Sequence, residues 1–279
     1  MDLVKLASLI PKPVLQPLFN SFVAVQRARG ENYFRCEWED HHWYYVYENS
    51  ESLTFFFDAK VTDGNTGREK IPLELFDDLS LNHDGMIDLG AHMGSVSVIL
   101  GSLNPDIPLH CFEPAAENVE ILRRNLEVND IDASVEEAVA GTETGTITFY
   151  ENIGGETRKL HLFDNSVNHT TSSVNAADSS FQQIEKPSIN ILSYCEENGV
   201  SRPFLKIDIE GAEYKIMDEL LRGDHELEGF SAIVELHPDL IEDGHAHDIV
   251  LWLESQEVDI EWVKTKNPRR MALFCSTLE

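Results

Sequence analysis

MIDLGAHMGSVSVIL, residues 86–100, decides the fold. Met86 to Gly90 reads as a short apolar strand, and Gly94 to about Leu103 reads as a helix, so the pair forms a strand–loop–helix unit. In the loop, Gly90 lets the backbone pass close to a ligand, and Gly94 opens the helix without a Cβ in the way. The same alternation continues outward. PLHCFEP (108–114) is a second strand, and Val119, Leu122 and Leu126 recur at helical spacing in AAENVEILRRNLEVN (115–129). SVEEAVA (134–140) is a third strand. FLKIDIE (204–210) and SAIVELH (231–237) are two more, separated by the helix AEYKIMDELL and a closing Gly223. A helix follows near 246–256, and DIEWVKT, a turn at Asn267-Pro268 and MALFCST read as a terminal hairpin. Strands alternating with helices predict an α/β, Rossmann-like, doubly wound and mostly parallel sheet, to which the hairpin adds an antiparallel strand.

Residues 1–80 read differently from 81–279, and the expected division falls there. A Pro-punctuated helical start is followed by the aromatic runs YFRCEW (33–38), WYYVY (43–47) and LTFFF (53–57), which suggest a small antiparallel β-meander. A helical piece, EKIPLELFDDLSL, then leads into the second part. The apolar runs of the first 30 residues are broken by Pro11, Pro13 and Pro17 and are too short to span a bilayer. They leave two readings, a helix docked on its own domain or one in peripheral contact with a membrane. No small-residue cleavage site follows a basic start, so the expected location is the cytoplasm.

Composition bounds the partners. Of 279 residues, 42% are hydrophobic, enough for a sizeable core. Fifty acidic residues against 21 basic ones give a net charge of −29, spread along the whole chain. Such self-repulsion weakens the compact state at low salt. It fits a halophile-like protein from a salt-rich cytoplasm, or simply an acidic mesophilic one. Nucleic acid is a poor partner, because counterion release needs clustered Lys and Arg. Cys36, Cys111, Cys195 and Cys275 stand far apart without metal-ligand spacing, so neither zinc nor a disulfide framework is expected.

The loop DLGAHMG (88–94) sits where ligands bind in such sheets, beyond the carboxyl end of a strand. A dinucleotide fingerprint needs glycine at 90, 92 and 95, and the chain has Gly90, His92 and Ser95, which argues against a nicotinamide oxidoreductase. Asp88 repels a pyrophosphate yet suits a cationic sulfonium and an amino group. Glu113, ending the second strand, is placed to accept hydrogen bonds from both hydroxyls of a ribose.

With DLGAHMGSVSVIL, FEPAAENVEILRRNLEVN, AVAGTETGTITFYE and FLKIDIEGAEYKIM in this order, the chain resembles the FkbM-type family of class I methyltransferases over roughly residues 70–265. KIDIEGAE (206–213) is the most specific element. The resemblance implies a seven-stranded sheet with an antiparallel terminal strand, S-adenosylmethionine as donor and, usually, O-methylation. It implies that Asp88, Gly90, Ala91, His92, Met93 and Gly94 cradle the methionine portion and that Glu113 holds the ribose. The adenine contact would then lie near Glu137 and Ala138.

Methyl transfer to an alcohol requires a positioned nucleophile and removal of its proton. Period-two alternation in FLKIDIE puts Lys206, Asp208 and Glu210 on one strand face, with the two acids at the carboxyl end. Glu235 and His237 share a parity and end the adjacent strand. Asp208 and His237 are the candidate general bases, and Lys206 neutralises a carboxylate. Two other roles remain open for Asp208, fixing the amino group of the donor or capping the helix near Gly211. His237 precedes Pro238 and has a second reading, shaping the strand's exit. Glu210 and the polar insertion 152–180, especially Asn168, His169 and Thr170, are candidates for binding a polar acceptor such as a glycan, a lipid-linked sugar or a small metabolite. The competing reading of the insertion is a surface loop. No dedicated metal-ligand spacing occurs, so no metal is expected. A non-catalytic module that binds the donor is the alternative to an enzyme.

Overall fold

The computed structural model describes residues 12–47, 64–66, 71–152, 160–162, 181–209, 212–222, 225–236, 255, 258–263 and 271–278. Helix α1 (Lys12–Ala28) precedes a hairpin, β1 (Tyr33–Trp38) and β2 (His41–Val46). The strand–helix series follows as β3 (Gly85–Leu89), α2 (Ser95–Leu103), β4 (Leu109–Phe112), α3 (Ala116–Glu127) and β5 (Ala133–Glu136). Four strands come next, β6 (Val139–Gly141), β7 (Gly145–Asn152), β8 (Leu160–Leu162) and β9 (Phe181–Asn190). The chain then passes through α4 (Ile191–Glu197), β10 (Pro203–Ile207), α5 (Glu213–Arg222), β11 (Ser231–Leu236), β12 (Asp259–Val263) and β13 (Met271–Ser276).

The central sheet has seven strands in the order β12-β13-β11-β10-β3-β4-β5. β13 alone runs antiparallel to its neighbours, as the terminal hairpin of the sequence requires. Every residue of β3, β4, β10 and β11 is buried, because helices cover both faces. On one face Met86, Leu109, Cys111, Phe204 and Ile233 pack with α2, α3 and the β1–β2 hairpin. On the other, Ile87, Leu89, Leu205, Ile207 and Val234 pack with α4 and α5.

Three expectations change. SVEEAVA is two strands: β5 stays in the central sheet, while β6 leaves it for a four-stranded sheet of order β6-β9-β7-β8. The adjacent acids Glu136 and Glu137 mark the break. Second, the stem of the polar insertion is a long antiparallel ribbon, β7 with β9, in register from Gly145↔Ser188 to Asn152↔Phe181. Third, LELF and LSL form two 3-10 turns, Leu73–Phe76 and Leu79–Leu81, rather than a helix. Asn104 donates to the Phe76 carbonyl and accepts from the Leu79 amide, bridging the two turns. The expected helix near 246–256, apart from Ser255, and the LTFFF run lie outside the described residues. No described helix is long and apolar enough to cross a membrane.

Two histidines give the fold an acid limit. Burial lowers the pKa of His110, against an opposing pull from Glu136, and burial likewise lowers that of His83. His110 Nδ1 lies 3.1 Å from the Tyr194 hydroxyl, and its Nε2 has no hydrogen-bond partner among the described residues. Both rings are therefore neutral when folded, and the unfolded chain binds the extra protons. Their stability contribution is complete above the ordinary value of 6.5 and is lost as pH falls through the lowered folded values. The loss should approach about 1.4 kcal/mol per histidine for each pH unit. Urea midpoints at pH 7.5 and 5.5 check this: the acid loss should shrink in His110→Phe, and an unchanged loss would remove His110 from the account.

Candidate active site

The order of strands reverses between β3 and β10. From β3 the chain moves outward through β4 and β5, and from β10 it moves the other way to β11. Ligands in such sheets bind beyond the carboxyl ends at this switch point, which is where residues 90–94 lie. Gly90, His92 and Gly94 alternate in the left-handed region with φ of 78°, 52° and 85°. Histidine is among the few non-glycine residues that tolerate this region. The loop is held at many points. The Gly90 and Ala91 amides both donate to the Phe112 carbonyl, and Lys206 Nζ donates to the Gly90 carbonyl at 2.9 Å. The His92 amide donates to Glu113 Oε2, and Asn125 Nδ2 donates to the Met93 carbonyl at 2.8 Å.

The space around Gly90 is taken by protein. A Cβ there would lie 1.9 Å from the Asp208 carbonyl oxygen, so glycine is required by the close approach of β10's end rather than by a ligand. Gly94 serves as expected: it caps α2, and a Cβ would meet Leu122 Cδ1 of α3 at 2.6 Å.

Asp88 is fully buried beneath the loop, facing α2. Its Oδ2 accepts from the Ser97 hydroxyl at 2.6 Å, and its Oδ1 is 3.3 Å from Lys206 Nζ. The same ammonium is 3.6 Å from Asp208 Oδ2. Asp88 and Lys206 are paired in the β3–β10 register, which is why they meet. Burial would discharge the lysine, but the carboxylates of Asp88, Asp208 and Glu235 outweigh it and hold the ammonium well above its ordinary range. Lys206 is thus the carboxylate partner the strand pattern predicts, and Asp88 anchors the loop from below. Three carboxylates against one ammonium leave surplus negative charge under the loop, which suits a cationic ligand. Asp88, Glu235 and the helix-start Glu213 are buried, whereas 26% of the Asp208 side chain is exposed.

Glu113 is buried where β4 meets α3. Its Oε1 accepts from the Ala115 amide at 2.9 Å and from Asn118 Nδ2 at 3.1 Å. Oε2 accepts from the His92 amide, and a carboxylate oxygen has room for a second donor. Glu113 therefore ties the loop to the second strand and keeps acceptor capacity, so the residues present fit a ribose-bearing cation. Ala138 is buried, and the exposed Glu137 is bound to Lys186 of β9 at 2.9 Å. The carboxylate expected beside an adenine thus spans the two sheets, because β6 has left the central sheet.

Glu210, His237, Asn168, His169 and Thr170 lie outside the described residues. Among the described residues no group of three or more His, Cys, Asp or Glu side chains is placed to hold a metal ion. An open groove of about 680 Å³ lies between α4 and α5, lined by Ser193, Glu196, Glu219, Arg222 and His225 among others. It opens toward the amino ends of β10 and β11, away from the switch point, and is not the candidate site. Ser97, Asn118 and Asn125 escaped sequence reading, although Asn118, Asn125 and Asn129 recur at i, i+7 and i+11 along α3 and its end. That stripe follows Leu122 on the buried face and is the signal that marks them.

The family described as Methyltransferase FkbM domain matches residues 88–258. Methyltransferase sdnD of Sordaria araneosa is 26% identical over 153 residues, covering 47% of this chain and 58% of that protein. The chain thus spans well under two thirds of that curated relative. Among solved structures, a putative O-methyltransferase from Klebsiella pneumoniae aligns at TM-score 0.40 and 12% identity, covering 74% of this chain and 78% of that one. Precorrin-6y C5,15-methyltransferase from Geobacter metallireducens GS-15 aligns at TM-score 0.37 and 13% identity, covering 68% and 78%.

Proposed function

The chain belongs to the methyltransferase FkbM family, whose cofactor is S-adenosylmethionine, and from that premise we propose that it methylates an oxygen nucleophile on a glycan, a lipid-linked sugar or a small polar metabolite. The observation that carries this reading is the convergence of Lys206, Asp208 and the 90–94 loop at the sheet's switch point, with Glu113 alongside. The bound donor supplies a methyl carbon activated by positive sulfur. Residues 90–94, pinned before any ligand arrives, present their backbone to its amino-acid portion. Glu113 accepts from the sugar hydroxyls through its remaining lone pairs. Asp208 is the carboxylate beside the loop and Lys206 with access to water, and it takes the proton from the acceptor hydroxyl. The Lys206 ammonium, 3.6 Å from Asp208 Oδ2, positions that carboxylate beside the loop. Glu210, His237 and the insertion residues Asn168, His169 and Thr170 complete the acceptor side in this reading.

Calorimetric titration with S-adenosylhomocysteine tests the donor assignment. Glu113→Gln should weaken binding by about 10- to 100-fold, the equivalent of one lost charge-assisted hydrogen bond. An unchanged Kd would remove Glu113 from the site. Donor binding without label transfer from methyl-labelled donor to any of a panel of sugars and alcohols would favour the non-catalytic module.

A further inference from the structure

The β1–β2 hairpin lies outside residues 88–258, the stretch matched by the family, yet it is bonded to the loop assigned to the donor. Asn125 of α3 is fully buried, and its two amide atoms face opposite ways. Oδ1 accepts from the Val46 amide of β2 at 2.8 Å, while Nδ2 donates to the Met93 carbonyl at 2.8 Å. One turn along, the Tyr45 hydroxyl donates to the Ser95 carbonyl at 2.7 Å, at the first residue of α2. Tyr45 is itself fully buried, and burial pushes its phenol pKa up, so it remains a donor. The hairpin thus reaches both sides of Gly94, the last left-handed residue of the loop, directly at Ser95 and through Asn125 at Met93. Asn129 provides an internal comparison. It bonds the same hairpin through the Tyr44 amide and carbonyl, each at 2.7 Å, and its Nδ2 also donates to the Asn125 backbone carbonyl at 2.6 Å, one helical turn back, rather than to the loop.

We infer that the β1–β2 hairpin is a positioning element for the donor loop, coupled to it through Asn125 and Tyr45. The strand-side amides of Gly90 and Ala91 bond Phe112, and the Gly94 carbonyl starts the helix ladder, so the Met93 carbonyl between them depends on the side chain that grips it. Asn125 grips Met93 only while Val46 occupies its other end and fixes the direction of the amide. Preorganisation of this kind lowers the ordering cost of binding and therefore appears in donor affinity.

The inference rests on the donor reading above, and the test separates the two. In the full-length chain, Asn125→Ala should weaken S-adenosylhomocysteine binding about tenfold, the effect of one buried hydrogen bond. It should also speed amide exchange across residues 91–95. Asn129→Ala should lower the melting temperature comparably while leaving Kd within about twofold, since it loosens the hairpin without touching the loop. Equal weakening by both variants would mean that the hairpin acts through general stability, and unchanged binding and exchange in Asn125→Ala would overturn the coupling outright. If Asn125→Ala does not fold, Tyr45→Phe carries the test: about threefold weaker binding with faster loop exchange supports the inference, and wild-type values overturn it. A wild-type chain that does not bind S-adenosylhomocysteine defeats the donor reading, while loop exchange in the variants still decides whether the hairpin positions the loop.

Discussion

Lys206→Met is expected to destabilise the protein by about 3–5 kcal/mol, because it strands the fully buried Asp88 carboxylate without its cation. Methionine nearly matches the lysine stem in volume, so packing is largely conserved and the loss is electrostatic. The Ser97 hydroxyl still donates to Asp88 Oδ2, but Oδ1 then faces a buried strand face with no compensating charge. The Gly90 carbonyl also loses its donor. Against a total stability of about 5–15 kcal/mol, this is a large fraction. Urea denaturation at neutral pH measures it. Adding Asp88→Asn to Lys206→Met should restore much of the loss, because Asn is neutral and still accepts from Ser97. A double variant as unstable as the single one would show that the deficit comes from the loop carbonyl rather than from the stranded charge.

Gly90→Ala is expected to be comparably severe and also to abolish donor binding. The added Cβ would stand 1.9 Å from a backbone carbonyl oxygen of Asp208, which no rotamer change can relieve. The left-handed φ of 78° adds a conformational penalty of about 1–3 kcal/mol for a residue with a side chain. The combined loss should reach about 4 kcal/mol or more. Relief requires β3 and β10 to separate at their carboxyl ends, where the loop, Lys206 and Asp208 converge. Urea denaturation with parallel S-adenosylhomocysteine titration checks both effects. Wild-type stability in Gly90→Ala would mean that the approach of Asp208 to Gly90 is not a constraint.

The sequence makes the central sheet legible because fully buried parallel strands read as unbroken apolar runs. MIDLG, LHCF, FLKI and SAIVEL fall where β3, β4, β10 and β11 lie. β7 and β9 were hidden by composition. TITFYEN and FQQIEKPSIN mix polar residues with Gly-, Thr- and Ser-rich flanks, and their pairing across the 28 intervening residues 153–180 has no local signal. At the site, strand parity foretold that Lys206 would serve a carboxylate, and the register names Asp88 as one partner. It could not foretell that Asp88 would be sealed beneath the loop, since burial depends on α2 lying over it with Ser97 pointing down. Gly90 was marked for a ligand's close approach, and the structure shows another group there, the chain's own Asp208 carbonyl. Asn125 was missed for a different reason: its stripe with Asn118 and Asn129 follows the buried face, but a helical asparagine is usually a solvated residue, and nothing local names the Val46 amide and Met93 carbonyl it bonds.

A crystal structure of the chain with S-adenosylhomocysteine is the most direct check on where the donor lodges. The homocysteine portion should run along residues 90–94, with the ribose hydroxyls within hydrogen-bond distance of the Glu113 carboxylate and the sulfur facing the side of Asp208. Ligand bound instead in the groove between α4 and α5, or at the switch point with Glu113 making no contact to the sugar, would contradict this account.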